Sequence, residues 1–170
     1  MTIVSRRRAI GALASGTVLA TGAALAAPPT IEMKDLKKES DVACLYHCDF
    51  GDDARYDAML RNINNHLSVY DSDPFALKIV IVAHAAGIKY HLKTLDGTTW
   101  AGGKIDPDFD KRTAALGQLG VDVLLCRLTF ERNKIDLALA KDAPYIRIVP
   151  SGVATVAALQ AKGYAYLKVG

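Results

Sequence analysis

The chain has 170 residues, 51% of them hydrophobic and 23% charged, with 13 Gly, 6 Pro, 3 Cys and a formal charge of +3. This suits one globular domain and excludes disordered, collagen-like and coiled-coil chains; three cysteines are too few for a disulfide scaffold of this size. The excess charge is confined to Arg6, Arg7 and Arg8, which leaves 18 basic against 18 acidic residues from Ala27 onward, so no broad basic face for nucleic acid is expected.

The first predicted element is an address. Ser5-Arg6-Arg7-Arg8 precedes an uncharged run of small and apolar residues, Ala9 to Ala26, that ends in Ala24-Leu25-Ala26. Basic start, apolar middle and small-residue exit define an export signal over residues 1–26. The run is Gly-, Ala- and Thr-rich, weakly hydrophobic for a retained signal-anchor helix, which is the alternative. The paired arginines resemble a twin-arginine signal, whose cargo folds before export. No cysteine near the cleavage point offers a lipid anchor. The expected location is therefore the periplasm, without stable membrane insertion after cleavage.

Residues 27–41 read as an N-terminal arm and 42–170 as the folded domain. Val42 to Asp49 is a short apolar run with β character. Asp52 or Asp53 caps a helix on which Tyr56, Leu60, Ile63, Leu67 and Tyr70 recur at helical spacing, and Asp71-Ser72-Asp73-Pro74 stops it. Ala76 to Ala83 is the clearest buried strand, and His84-Ala85-Ala86-Gly87 turns into a short helix running to about Leu95. Asp96 to Pro107 is a polar loop. Pro107 to Gly120 is a helix closed by Gly120, and Val121 to Cys126 a strand. A helix is expected over Glu131 to Lys141 and a strand over Tyr145 to Val149. Ser151 then caps a helix through Lys162, and Tyr164 to Val169 closes the chain as a fifth strand. Alternating strands and helices imply parallel pairing with right-handed crossovers. The expected fold is α/β: a five-stranded, mainly parallel sheet with helices on both faces.

Ligands of such sheets meet the carboxyl ends of the strands. Cys48 and Asp49, His84, Cys126 and Ser151-Gly152 fall there. Cys126 is the sharpest candidate: it ends a strand, and Arg127 and Arg132 follow, cations that favour thiolate over thiol. The alternative is a buried structural cysteine. His84 is a candidate base, ligand or neighbour for that thiolate, or a hydrogen-bonded loop histidine. Ser151 and Gly152 open a helix whose free amides suit an anionic sulfur species, carboxylate or phosphate, or merely cap it. Cys44 and Cys48, four apart with His47 between them, invite a metal or redox reading. On a strand, however, they stand roughly 13 Å apart, beyond disulfide reach. Cys44 reads as core. Cys48 is a second thiol candidate that could pair with Cys126. His66 and His91 lie on helices without a paired ligand. No P-loop, G-x-G-x-x-G, H-E-x-x-H, C-x-x-C or G-x-S-x-G pattern is present.

Four stretches carry a resemblance: Leu60 to His66; Val80-Ile-Val-Ala-His-Ala-Ala-Gly87; Leu119-Gly-Val-Asp-Val-Leu-Leu-Cys126; and Val149-Pro-Ser-Gly-Val153 followed by Gln160 to Lys168. In order and spacing they resemble the DsrE/DsrF-like family, including its YchN-type members, from about Val42 to Val169. The resemblance implies a parallel α/β sandwich that often assembles into homo-oligomers. It also implies that a cysteine after the third strand, here Cys126, carries persulfide sulfur. The leading expectation is a periplasmic sulfur carrier or sulfurtransferase. Cys126 and His84 would carry the chemistry, and Arg127, Ser151 and Gly152 would bind the substrate. No cofactor is required. Its partners would be a small sulfur-containing anion or a thiol protein. The rivals are a non-catalytic module binding an anion or partner protein, and a copper or zinc protein using His47, Cys48, His84 and Cys126.

Overall fold

The computed structural model describes residues 26–170. The export-signal reading therefore lies outside the described residues except for Ala26. Five strands form one sheet: β1 (Val42–Cys48), β2 (Leu77–Ala83), β3 (Asp122–Cys126), β4 (Ile146–Val149) and β5 (Ala165–Leu167). All pairs are parallel, in the order β4-β3-β2-β1-β5. The expected fold class is the one observed.

The helices are α1 (Asp53–Val69), α2 (Pro107–Gln118), α3 (Arg127–Arg132) and α4 (Gly152–Ala161). From β1 to β4 the chain adds strands in one direction, so right-handed crossovers keep α1, α2 and α3 on one face. After β4 it doubles back to place β5 beside β1, and the same handedness puts α4 on the opposite face. Side-chain alternation separates the two cores. Cys44, Tyr46, Cys48, Ile81 and Leu125 pack under α1 with Met59 and Ile63. Ala43, Leu45, Val80, Val82 and Leu124 pack under α4 with Leu159.

Local chemistry sets the element ends. Asp52 accepts from the Arg55 amide and Asp106 from the Asp108 amide, which satisfies first-turn donors of α1 and α2. The segment after His84 is a 3₁₀ turn, Ala85–His91, rather than an α-helix. Gly87 is pressed against β1 there, and a methyl group on it would sit 2.1 Å from the Cys48 carbonyl oxygen.

The helix expected over 131–141 lies earlier in the chain. α3 begins directly after Cys126 and ends at Asn133, where Lys134 takes a left-handed φ of 54°. The Asn133 side chain donates to the Thr129 carbonyl across that end. Phe130, Ile135 and Ala140 are buried at five-residue spacing, which no α-helical face supports, and only Leu137–Leu139 forms a further 3₁₀ turn.

The arm packs against the domain. The Ile148 amide donates to the Pro29 carbonyl at 2.8 Å and the Ile31 amide to the Ile148 carbonyl at 2.9 Å. Leu36 is buried in the α4-side core, and the Tyr164 hydroxyl donates to the Lys37 carbonyl. Among the described residues, no helix is long and apolar enough to cross a membrane.

Candidate functional site

The loop after β3 leads to one face of the sheet and the loop after β4 to the other. A crevice therefore opens at the carboxyl ends of these neighbouring strands, the position where open parallel sheets bind ligands. Cys126 and Val149 are register partners at its floor. Alternation carries the side chain of Cys126 to the α4 face, the face of Leu124. Its backbone is extended (φ −72°, ψ 111°) and hands over directly to α3.

Gly152, the first residue of α4, closes over this point. A methyl group on it would lie 2.8 Å from His84 Cβ, 3.0 Å from His84 Cδ2 and 3.1 Å from Cys126 Cβ. Cys126, His84 and the amino end of α4 are thus packed together, and Cys126 is only 5% exposed. Ser151 caps α4, its Oγ accepting from the Ala154 amide at 3.4 Å. The amides of Gly152 and Val153 precede any intrahelical acceptor, as in every first turn.

His84 continues the extended path of β2 (φ −150°, ψ −179°), so it shares a face with Val82 and Val80. Ala85 behind it has a left-handed φ of 47°, and its amide donates to Thr129 Oγ1. His47, one residue before the end of β1, faces the same side. The two imidazoles meet: His47 Nε2 and His84 Nε2 are 2.6 Å apart. His47 Nδ1 is 3.0 Å from the hydroxyl of Tyr166 on β5. Burial, reinforced by the adjacent His47 and opposed by Asp49, lowers the pKa of His84 and keeps its ring neutral at pH 7. The ligand atoms of His47, His84 and Asp49 all lie within 4.8 Å of one another.

The other expected residues part company here. Cys48 points to the opposite core, is fully buried, and its thiol is pushed far up, chiefly by burial with Asp49 adding to it. It faces away from Cys126 across the sheet, which removes the expected pairing of these two thiols and removes Cys48 from the His47, His84 and Cys126 metal set. Burial also raises the Cys44 thiol. Cys44 and Cys48 both lie on extended β1, and all three cysteines are free. The Arg127 guanidinium reaches the arm, where it donates to Thr30 Oγ1 at 2.7 Å. His66 meets Tyr46 through Nδ1, and His91 is buried away from the crevice. The sequence marks Asp49 only as a strand-end residue and brings His47 in only beside the cysteines and in the copper-or-zinc set with His84; Tyr166 has no signal of its own. The signal for the His47–His84 pair is parity: both fall on the α4 face at the ends of strands that turn out to be neighbours.

This sheet, with a cysteine and a histidine held under a helix start at its switch point, defines a parallel α/β sandwich with its candidate site at the carboxyl ends of the strands. The chain belongs to the DsrE/DsrF-like family, whose model matches residues 50–169. The fold is similar to that of a protein of unknown function, MTH1491, from Methanobacterium thermoautotrophicum. The TM-score is 0.61 at 20% identity, covering 75% of this chain and 99% of that one. Among curated proteins, none matches.

Proposed function

We propose that this protein is a sulfur carrier or sulfurtransferase working through Cys126. The observation that carries the reading is the packing of Cys126 against His84 and the first residue of α4. The α4 start presents amides and the positive end of a helix dipole to an anionic sulfur. Neutral His84, packed with Cys126 under Gly152, is the group assigned to take or return the thiol proton. Ser151 and Gly152 supply the helix start, while Arg127, tied to Thr30, contributes charge at the rim.

The chemistry balances without a cofactor. The Cys126 thiolate attacks the sulfane sulfur of a polysulfide-type donor. A bond forms from Sγ to that sulfur, and the donor's sulfur–sulfur bond breaks to release a thiolate. An acceptor thiolate then attacks the outer sulfur and regenerates the Cys126 thiolate. Low exposure of Cys126 shields the persulfide from water. Leu128, Val153 and Tyr166 are exposed near the crevice, which favours a protein thiol as one of the two partners. The location proposed is the periplasm; its support is the Arg6-Arg7-Arg8 segment and the Ala24-Leu25-Ala26 exit.

The test is intact mass spectrometry of the reduced full chain after exposure to polysulfide. The expected result is a gain of one sulfur atom, removed by reductant, absent in Cys126→Ser and retained in Cys44→Ser and Cys48→Ser. No adduct on the folded wild-type chain, or one that survives Cys126→Ser, overturns the reading in favour of a non-catalytic module that binds an anion or a partner protein.

A further inference from the structure

The contact between His47 and His84 has more built around it than a hydrogen bond between two rings requires. Two imidazole nitrogens point at one another at 2.6 Å. In the neutral pair, one Nε2–H donates and the other Nε2 accepts. The carboxylate of Asp49 lies in the same cluster, with every ligand atom within 4.8 Å of the others. Asp49 is exposed, so its side chain is free to swing in, whereas the two rings are half-buried and held by β1 and β2. On the far side of His47, Nδ1 meets the Tyr166 hydroxyl at 3.0 Å. A ring whose inner nitrogen faces a convergence point and whose outer nitrogen is held by a hydrogen-bond partner is oriented as metal-binding histidines are.

We infer that His47, His84 and Asp49 bind a divalent transition-metal ion of the zinc class at the carboxyl edge of β1 and β2. The donor set is two imidazoles and a carboxylate, the borderline N/O set that zinc takes in sites with an open position. Nitrogens at about 2.0–2.1 Å from a tetrahedral ion stand about 3.3 Å apart, so the rings must open by about 0.7 Å from their hydrogen-bonded contact. A small rotation of either half-buried ring achieves this. The cation takes the place of the shared proton. That proton moves to the outer nitrogen, so that His47 Nδ1–H donates to Tyr166 and the charge on both rings stays neutral. Cys48 is no part of this set, because its thiol lies in the opposite core. The inference goes beyond the sulfur reading and is tested independently of it; with the ion bound, both nitrogens of His84 are occupied, so His84 serves as the proton acceptor for Cys126 only in the metal-free protein.

The test uses the tag-free, metal-stripped full chain titrated with Zn²⁺ by calorimetry, and with Co²⁺ for its ligand-field spectrum. Expected are one ion per chain, a four- or five-coordinate cobalt spectrum, and a melting temperature raised by Zn²⁺. His47→Ala and His84→Ala lose binding, and Tyr166→Phe weakens it about tenfold through release of the ring. His47→Gln and His84→Gln carry the test if the alanine variants melt early. Cys126→Ser keeps the metal, which separates this result from the mass-spectrometric one. No stoichiometric uptake by the folded wild-type chain overturns the inference. So does uptake that survives His47→Gln combined with His84→Gln, or uptake lost only in Cys126→Ser.

Discussion

Gly152 stands so close to His84 that a single added methyl group would lie 2.8 Å from the histidine Cβ. Both atoms belong to anchored structure, the end of β2 and the first turn of α4, so neither yields cheaply. The close approach is what lets a helix start reach the strand-end cysteine.

Gly152→Ala sets two effects against each other. Alanine favours a helix by up to about 1 kcal/mol over glycine. Overpacking against His84 and Cys126 costs about 1–3 kcal/mol. The clash wins, so the variant melts several degrees lower, and alkylation of Cys126 by a small thiol reagent changes in rate as α4 is pushed outward. Thermal melting with timed alkylation checks both. A melting point at or above wild type would mean that α4 can retreat without cost.

His91 is fully buried and its Nε2 has no hydrogen-bond partner. Burial, with the nearby Lys141 adding to it, lowers its pKa to about 3 from 6.5. The unfolded chain therefore binds this proton at a pH where the folded one does not. The contribution of neutral His91 is fully present above pH 6.5 and is lost progressively as pH falls toward 3. The loss is on the order of a few kcal/mol. His91→Leu removes that part of the acid dependence and leaves stability at pH 7 equal or higher, because an unpaired buried nitrogen goes with it. Denaturant titrations at a series of pH values give the two slopes directly; parallel slopes would place the acid sensitivity elsewhere.

Asp122 joins two cations, accepting from Lys78 at 2.8 Å and Arg147 at 3.0 Å, while Glu39 meets Lys78 from outside. Lys78 and Asp122 are each 13% exposed, and Glu39 is 56% exposed. Asp122→Ala leaves a half-buried lysine without its inner partner and costs on the order of 3 kcal/mol. Glu39→Ala costs less than about 1 kcal/mol, as exposed pairs do. Equal losses in the two variants, measured by urea unfolding, would show that Lys78 re-solvates freely.

The fold was legible because each strand announced itself locally. Ile79 to Ala83 is a continuous apolar run, and Asp52, Asp106 and Ser151 are cap residues at the helix starts they occupy. α3 was misplaced because no polar cap precedes it; the chain leaves β3 and coils at once, and its stop is a side-chain bond from Asn133 that no pattern marks. The crevice residues Cys126, His84 and Ser151-Gly152 followed from the rule that strands end in sites. The copper-or-zinc set joined His47 with His84, but their direct contact did not follow, because it depends on β1 lying beside β2, and sheet order is set by packing between elements distant in sequence. Tyr166 joins them only because the chain doubles back to lay β5 against β1. Cys48 was drawn toward Cys126 by shared chemistry and separated from it by one step of the pleat.

The two backbone bonds between the arm and Ile148 occupy the outer flank of β4 with the protein's own chain. The flank beyond β5 has no such cover among the described residues, and β5 is a short strand with Ala165 and Tyr166 exposed. The sheet is therefore one-sided in its capacity to recruit: backbone left over for an incoming strand lies next to Tyr166, at the His47 end of the crevice and not at the Cys126 end. A partner that extended this sheet would lie alongside the histidines and leave the thiol's entrance clear.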